Sequence, residues 1–322
     1  MKKFLLNLII TALVFSATAC AGLIPSTQSK EVTVTFTQEG QAPISITAQT
    51  GKALSDIPTP VQSSDTTLIT EWNLQEDFIP TEDMTVQAVS YTKGLEFDYT
   101  SYFTSERYAS VKKYTGTATK IVVPQYFRGY PVGRIGKEVF RSNKSITSVS
   151  LPEGLLEIQF YAFSGCANIT EMNLPSTLMI LGENSISDAD IAGKLVFPAV
   201  AEISERVLFG STITELVLPE GVYSIGAYTF GGKSALKSVV LPKSVSKISG
   251  VAFWAQPLES VFFAGDEIDW LSVEIDEETY REFNFGTKLE NEEIKLYYYS
   301  ETEPTKEGNY WHYINGNVAI WS

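Results

Sequence analysis

The sequence predicts a mainly β protein: a solenoid of turns about 23 residues long, with a small β-rich unit ahead of it. Three observations carry that expectation. Six prolines, Pro124, Pro152, Pro175, Pro198, Pro219 and Pro242, follow one another at spacings of 28, 23, 23, 21 and 23, and Ala264 takes the same place 22 residues further on. Around each of these anchors apolar residues recur at fixed offsets. Three before stand Val149, Met172, Leu195, Leu216, Val239 and Val261, and one before stand Leu151, Leu174, Phe197, Leu218, Leu241 and Phe263. Six after come Ile158, Leu181, Ile225 and Ile248, and eleven after come Phe163, Ile186, Phe209, Phe230 and Phe253. Finally, the residues leading into each proline alternate with period two, which is strand period. A single such unit cannot bury its own apolar face, so stability has to come from stacked neighbours.

The irregular spacings fit the same scheme. A five-residue insertion at Tyr126 to Tyr130 turns the 28 into a 23, and Ile135 and Phe140 then hold the places six and eleven after the anchor. The 21 reads as a two-residue deletion between Phe209 and Ile213, and in that turn Ser204 falls where the others have an isoleucine or leucine, with Ile203 beside it. Within each strand the side chains at −3 and −1 point inward and those at −4 and −2 outward. The proline ends the strand because it has no N–H to give the ladder. The I-G-x-x-x-F stretch that follows turns and returns an aromatic ring to the core, where truncation to alanine would cost about 3–5 kcal/mol.

The pattern L-x-x-V-x-L-P-x-x-V-x-x-I-G-x-x-A-F, seen most fully in Leu236–Phe253 and Ile213–Phe230, resembles the BspA-type leucine-rich repeat of bacterial surface proteins. The resemblance runs from about Leu95 to the C-terminus. It implies a leucine-rich-repeat solenoid and a non-catalytic binding or adhesion role. It transfers no binding residue, because the family's binding activities do not map to a fixed motif.

Taken in order, residues 1–19 read as a signal peptide. Lys2 and Lys3 precede a mostly apolar run, Phe4 to Phe15, too short for a comfortable membrane span, and Ala17-Thr18-Ala19 supplies small residues for cleavage. Cys20 follows at once. This resembles a bacterial lipobox, with Ala17 where that motif prefers leucine, and implies a lipidated Cys20 anchored in the membrane. An ordinary signal peptide, leaving a secreted chain, is the other reading. Residues 20–30 are small and polar and read as a tether.

Residues 31–91 form the β-rich unit. Val32 to Phe36 and Ile44 to Thr47 alternate as strands, Gly51, Pro58, Pro60 and Trp72 follow, and Met84 to Ala88 closes it. This order resembles the Listeria–Bacteroides repeat, a small β-grasp-like module akin to the B-repeat of internalins, and implies a spacer. Residues 92–265 are the solenoid, its tyrosine-rich start, with Tyr99, Tyr102, Tyr108 and Tyr114, reading as an N-terminal cap. Residues 266–322 read as an acidic and aromatic C-terminal cap: Asp266 to Glu293 holds eleven acidic side chains against Arg281 and Lys288, and Tyr297, Tyr298, Tyr299, Trp311, Tyr313 and Trp321 follow.

Charge and composition exclude several classes. The net charge is −14, and loss of Lys2 and Lys3 with the leader leaves 22 basic against 38 acidic side chains, or −16. Such a chain is ill suited to nucleic acid or to anionic headgroups. The lone histidine, His312, lies between two aromatics and reads as structural, and Cys166, the only cysteine besides Cys20, reads as a small core residue. One histidine and one remaining cysteine do not make a zinc ligand set. The acidic cluster around Asp266, Glu267, Asp269, Glu274, Asp276, Glu277 and Glu278 reads as a solvated face, since it lacks the spacing of an EF-hand loop, with calcium binding as the alternative. Phosphate-cradling glycine motifs are absent, so no cofactor and no metal is expected.

Function is therefore expected on the outward strand positions. Glu171, Lys194 and Glu215 stand at −4, and Asn173, Val196, Val217, Val240 and Phe262 at −2. With the strands in register, the −2 column would carry an apolar stripe over its last four turns, either an exposed contact surface or a strip covered by a neighbouring element. The expected partner is an extracellular protein or glycan, with the membrane met through the N-terminal lipid and no nucleic acid bound. A structural envelope protein and a carbohydrate-active hydrolase with two carboxylates across a cleft are the alternatives.

Overall fold

The computed structural model describes residues 29–101, 107–200, 202–233, 235–276 and 284–321. The leader, Cys20, Tyr102, Glu277, Glu278 and Arg281 lie outside the described residues.

The first unit is a mixed four-stranded sheet. Glu31–Thr37 runs antiparallel to Ile44–Gln49 and parallel to Met84–Thr92, which pairs in turn with Leu68–Trp72. Alternation in Val-Thr-Val-Thr-Phe puts Val34 and Phe36 inside with Val86, and the Trp72 ring packs 5.0 Å from that of Phe36. The proline segment is a strap across this core: the Trp72 indole donates to the Pro58 carbonyl, and the Gln38 amide brackets the Val61 backbone at 2.7 and 2.9 Å.

Lys93 and Gly94 turn the chain directly into a hairpin, Leu95–Ser101 with Arg107–Tyr114, which pairs in parallel with Tyr130–Ile135 and so covers the open end of the first coil. The insertion at Tyr126 to Tyr130 is itself a small hairpin that grips the first unit. Phe127 stacks on Phe97 at 4.0 Å and meets Tyr91 edge-on, Arg128 pairs with Glu76, and the Gly129 N–H donates to Asn73 Oδ1. Tyr91 belongs to the solenoid core rather than to that of its own sheet, so the two units share packing.

Two columns of parallel strands then build the solenoid. One holds the strands that lead into the prolines and the other the short Ile-Gly strands, such as Ser224–Ile225 and Lys247–Ile248. In-register pairing puts Val149, Leu216, Val239 and Val261 into a continuous core, as the repeat requires. Gly182 and Gly226 are needed in the second column because a Cβ there would meet the backbone of the preceding coil at 2.6 and 2.9 Å. A third ladder lies on the turn side. The N–H of Phe140, Phe163, Ile186, Leu208 and Phe230 each donates to a carbonyl of the next coil. It is held by left-handed residues at constant repeat positions, Tyr161 (φ 59) and Tyr228 (φ 56) in one row and Gly165 (φ 74) and Gly232 (φ 102) in another. A left-handed tyrosine costs about 1–2 kcal/mol, and the inter-coil hydrogen bonds offset it.

Three sequence expectations change. Leu208, not Phe209, occupies the core place that Phe163 and Phe230 hold in their coils. Ile203 pairs with Ile225, so the coil is already one residue short before Ile203, and Phe209 is displaced to a half-buried site. Moreover, the ladder does not stop at Gly265. Glu274–Ile275 pairs with Lys247–Ile248, Lys295–Tyr299 pairs with Ser260–Phe263, and Phe285 extends the phenyl column 5.0 Å from Phe253. The strand column is also split in two. Among the described residues no ladder joins Glu171–Met172 to Ala192–Val196, and these coils are joined on the turn side, where Asn184 and Ile186 donate to the Glu205 and Val207 carbonyls, both at 3.1 Å.

Candidate functional site

The second part of the strand column is a seven-stranded sheet that runs from Ala192–Val196 through Thr212–Val217, Ser238–Leu241, Ser260–Phe263 and Lys295–Tyr299 to a terminal hairpin, Tyr310–Ile314 with Asn317–Ile320. Register places Lys194, Glu215, Ser238 and Ser260 in one outward row and Val196, Val217, Val240, Phe262 and Tyr297 in the next. These are the −4 and −2 rows expected from the repeat.

The hairpin decides what becomes of the apolar row. It folds back so that Trp311, wholly buried, reaches across Phe262 at 5.8 Å and donates its indole N–H to the Phe263 carbonyl at 2.8 Å. Phe262 also stacks on Tyr297 at 5.1 Å. Of the two states the sequence left open for the stripe, the covered one holds at its C-terminal end. Val240 and Phe262, expected to face a ligand in the open, are only 5% and 7% exposed. Val217 is half-buried and Val196 remains 62% exposed. The hairpin walls the groove with Asn317 and Val318 and leaves Val196 outside it.

What remains is a groove of about 380 Å³ between the hairpin edge and the sheet. Val217, Val240, Phe262 and Val318 line it with apolar surface, and Lys194, Glu215, Lys237 and Glu259 carry its charges. These four pair among themselves, Lys194 with Glu215 at 4.0 Å and Lys237 with Glu259 at 3.5 Å. Both pairs are exposed, so each adds little stability and can be exchanged for a ligand partner. The rim is thus charge-balanced in an acidic chain.

Five of the eight expected residues, Lys194, Glu215, Val217, Val240 and Phe262, meet at this groove. The other three do not line it. Val196 lies exposed on the same outward row, beside Val217. Glu171 is exposed on the other side of the break in the column. Asn173 serves the fold instead. Its side-chain amide accepts from the Leu151 N–H at 2.8 Å and donates to the Leu151 carbonyl at 2.7 Å, closing the rung where the strand ends. Lys237 and Glu259 were legible as a −5 row that strand alternation alone does not single out. Asn317 and Val318 carry no repeat signal.

Elsewhere the reactive residues are engaged in packing. The Cys166 thiol is buried, donates to the Phe140 carbonyl at 3.0 Å, and is pushed up to about 11 by that burial. His312 stacks on Trp321 at 3.8 Å. Among the described residues no three acidic, histidine or cysteine side chains gather as a metal site. The arrangement offers an apolar, charge-rimmed concavity for non-covalent contact.

Parallel strands stacked at a period near 23 residues, most of them followed by proline and backed by a column of phenyl and aliphatic side chains, define a leucine-rich-repeat solenoid. The BspA type leucine rich repeat region family matches residues 133–259 and 201–293, with six copies, and the chain belongs to that family. A search of the curated proteins finds no match. Among solved structures, the chain is similar to a leucine rich cell surface protein from Faecalibacterium prausnitzii A2-165, at 24% identity and a TM-score of 0.48, over 72% of this chain and 60% of that one. It is also similar to the leucine rich repeat protein of T. pallidum, at 23% identity and a TM-score of 0.35, over 53% and 69% of the two chains. A leucine-rich repeat protein from Bacteroides ovatus ATCC 8483 matches at 13% identity and a TM-score of 0.26, over 63% and 70%.

Proposed function

We propose that this chain is a non-catalytic binding protein of the bacterial cell surface, anchored through a lipidated Cys20. In this reading the unit at 31–91 is a spacer locked to the solenoid, and the groove over Val217 recognises an extracellular protein or glycan by shape and apolar contact. Membership of the BspA-type family fits an extracytoplasmic binding role. The observation that carries the reading is the groove itself: an apolar row that the hairpin leaves open at Val217, with exchangeable ion pairs on its rim. A hydrolase would need two carboxylates facing each other across a cleft. Here Glu215 and Glu259 each face a lysine instead.

The test is an array of matrix proteins, mucins and glycans probed with the chain from residue 21, beside Val217→Glu and Lys194→Glu variants. A ligand retained by the parent and lost by both variants, at unchanged melting temperature, is the expected result. Retention by both variants would remove the groove from consideration. For the anchor, a Cys20→Ala chain is expected in the medium, and its persistence in the membrane would refute lipidation.

A further inference from the structure

The two edges of the seven-stranded sheet are treated differently. Its first strand, Ala192–Val196, carries the devices that discourage edge pairing: a register shift between Gly193 and Lys194, and an exposed lysine. Its last strand, Asn317–Ile320, reads Asn-Val-Ala-Ile, with no proline, charge or bulge. Proteins blunt such an edge unless something is meant to pair with it.

Ladder parity shows which backbone groups this edge presents. The Trp321 N–H donates to the Tyr310 carbonyl at 3.0 Å, so Tyr310 faces Trp321 as a hydrogen-bonded pair. The register His312 to Ala319 and Ile314 to Asn317 continues that series at every second residue. Val318 and Ile320 therefore turn their N–H and C=O groups away from Tyr310–Ile314, toward the free edge. Asn317 and Val318 wall the groove there, across from Lys194 of the first strand. The edge is also held rigid. Trp321 stacks on His312 and donates to the Ser300 carbonyl at 2.9 Å, and Trp311 pins the partner strand. A fixed template spares an incoming strand much of the ordering cost.

We infer that the occupant of the groove is an extended polypeptide strand. It continues the sheet by pairing with Val318 and Ile320 and sets alternate apolar side chains on the Val217 and Val196 surface. Strand addition of this kind draws affinity from main-chain hydrogen bonds and selectivity from pockets for every second side chain. A charge-balanced rim suits such a segment better than a polyanionic glycan, which would call for an unpaired basic cluster. This inference rests on the groove being the binding site and adds the chemical class of its ligand.

The probe is an array of peptides about six residues long, the usual strand length, with alternating apolar and polar positions. It is read against the chain from residue 21, which holds every described residue. Each bound peptide is then remade with single N-methyl groups along its backbone. The expected result is a loss of about tenfold per methyl at every second position and little loss at the positions between, because only alternate N–H groups face the edge. Val318→Pro removes one outward N–H and leaves the hairpin ladder intact, and is expected to weaken binding by a similar factor. N-methyl effects without alternation, or no peptide bound at all, would overturn the inference. A glycan as the sole ligand, lost with Val217→Glu, would uphold the groove and sink the strand. Self-association of the chain that Val318→Pro abolishes would show that a second copy is the occupant and would also overturn it.

Discussion

Replacing Trp311 by alanine tests the central claim that the hairpin seals the outer apolar row. The ring is wholly buried and lies within 5.8 Å of Phe262, 5.2 Å of Tyr299 and 4.9 Å of Tyr313. Truncating a buried tryptophan costs about 3–5 kcal/mol, and the Phe263 carbonyl left without its donor adds about 1–3 kcal/mol. Main-chain pairing with Lys295–Tyr299 and the Trp321 bond to the Ser300 carbonyl still hold the hairpin to the sheet, so the loss is expected to appear as local loosening over the apolar row rather than collapse of the coils. Trp311→Phe keeps most of the packing and removes the hydrogen bond, so it should lie nearer the lower of those two figures. The assay is amide exchange at Asn317–Ile320 and Ser260–Phe263, with binding of a hydrophobic dye as Val240, Phe262 and Tyr297 become wet. Faster exchange and dye binding in the order Ala, then Phe, then parent are expected, with exchange at the Phe163 coil unchanged. If Trp311→Ala alters neither readout, the hairpin does not cover the row and the groove has no second wall.

Three further outcomes follow from the geometry. Leu208→Ala should cost about 2–5 kcal/mol and Phe209→Ala clearly less, measured by denaturant unfolding, because only Leu208 sits in the core column; the reverse order would restore the register read from spacing alone. The hydrogen bond from Lys243, with help from the Asp266 N–H, holds the Asp269 carboxyl below its usual range, and Asp269 in turn raises the Lys243 ammonium. A depressed acid stabilises fully above its unfolded value near 4 and loses that contribution as pH falls through the folded value. The turn at Glu267–Trp270 should therefore loosen in acid by NMR, and Asp269→Asn should flatten that response. The Cys166 thiol, pushed up to about 11 by burial, should react with a disulfide reagent at pH 8 only as fast as its coil opens, so prompt labelling of the folded chain would contradict the packing at Phe140.

Much of the solenoid was legible because its core is made of neighbours that repeat. The inward strand positions need no long-range information: Leu216, Val239 and Val261 recur at one offset, and each packs on the copy before and after. The same logic located the −4 and −2 rows and so named Lys194, Glu215 and Val217. It failed where length varies within a turn. The two missing residues of the Pro198 coil can be removed at several places, and only inter-coil hydrogen bonds select Leu208 over Phe209. It also missed the turn-side ladder, since left-handed Tyr161 and Tyr228 carry no residue-type signal of the kind that glycine gives. The five-residue insertion was found by counting, yet its grip on Asn73 and Glu76 was invisible to a count.

The period, the parallel stacking and the inward and outward rows can be read from the residues in order, because each depends on local alternation and on contacts one turn away. Which part of the outward row is open follows from long-range packing. The Trp311 indole reaches the Phe263 carbonyl across a separation of 48 residues, and whether it does so depends on how the hairpin folds back on the sheet, a long-range choice that no spacing encodes. That choice buries Val240 and Phe262, leaves Val196 and Val217 accessible, and turns an apolar stripe into a walled groove.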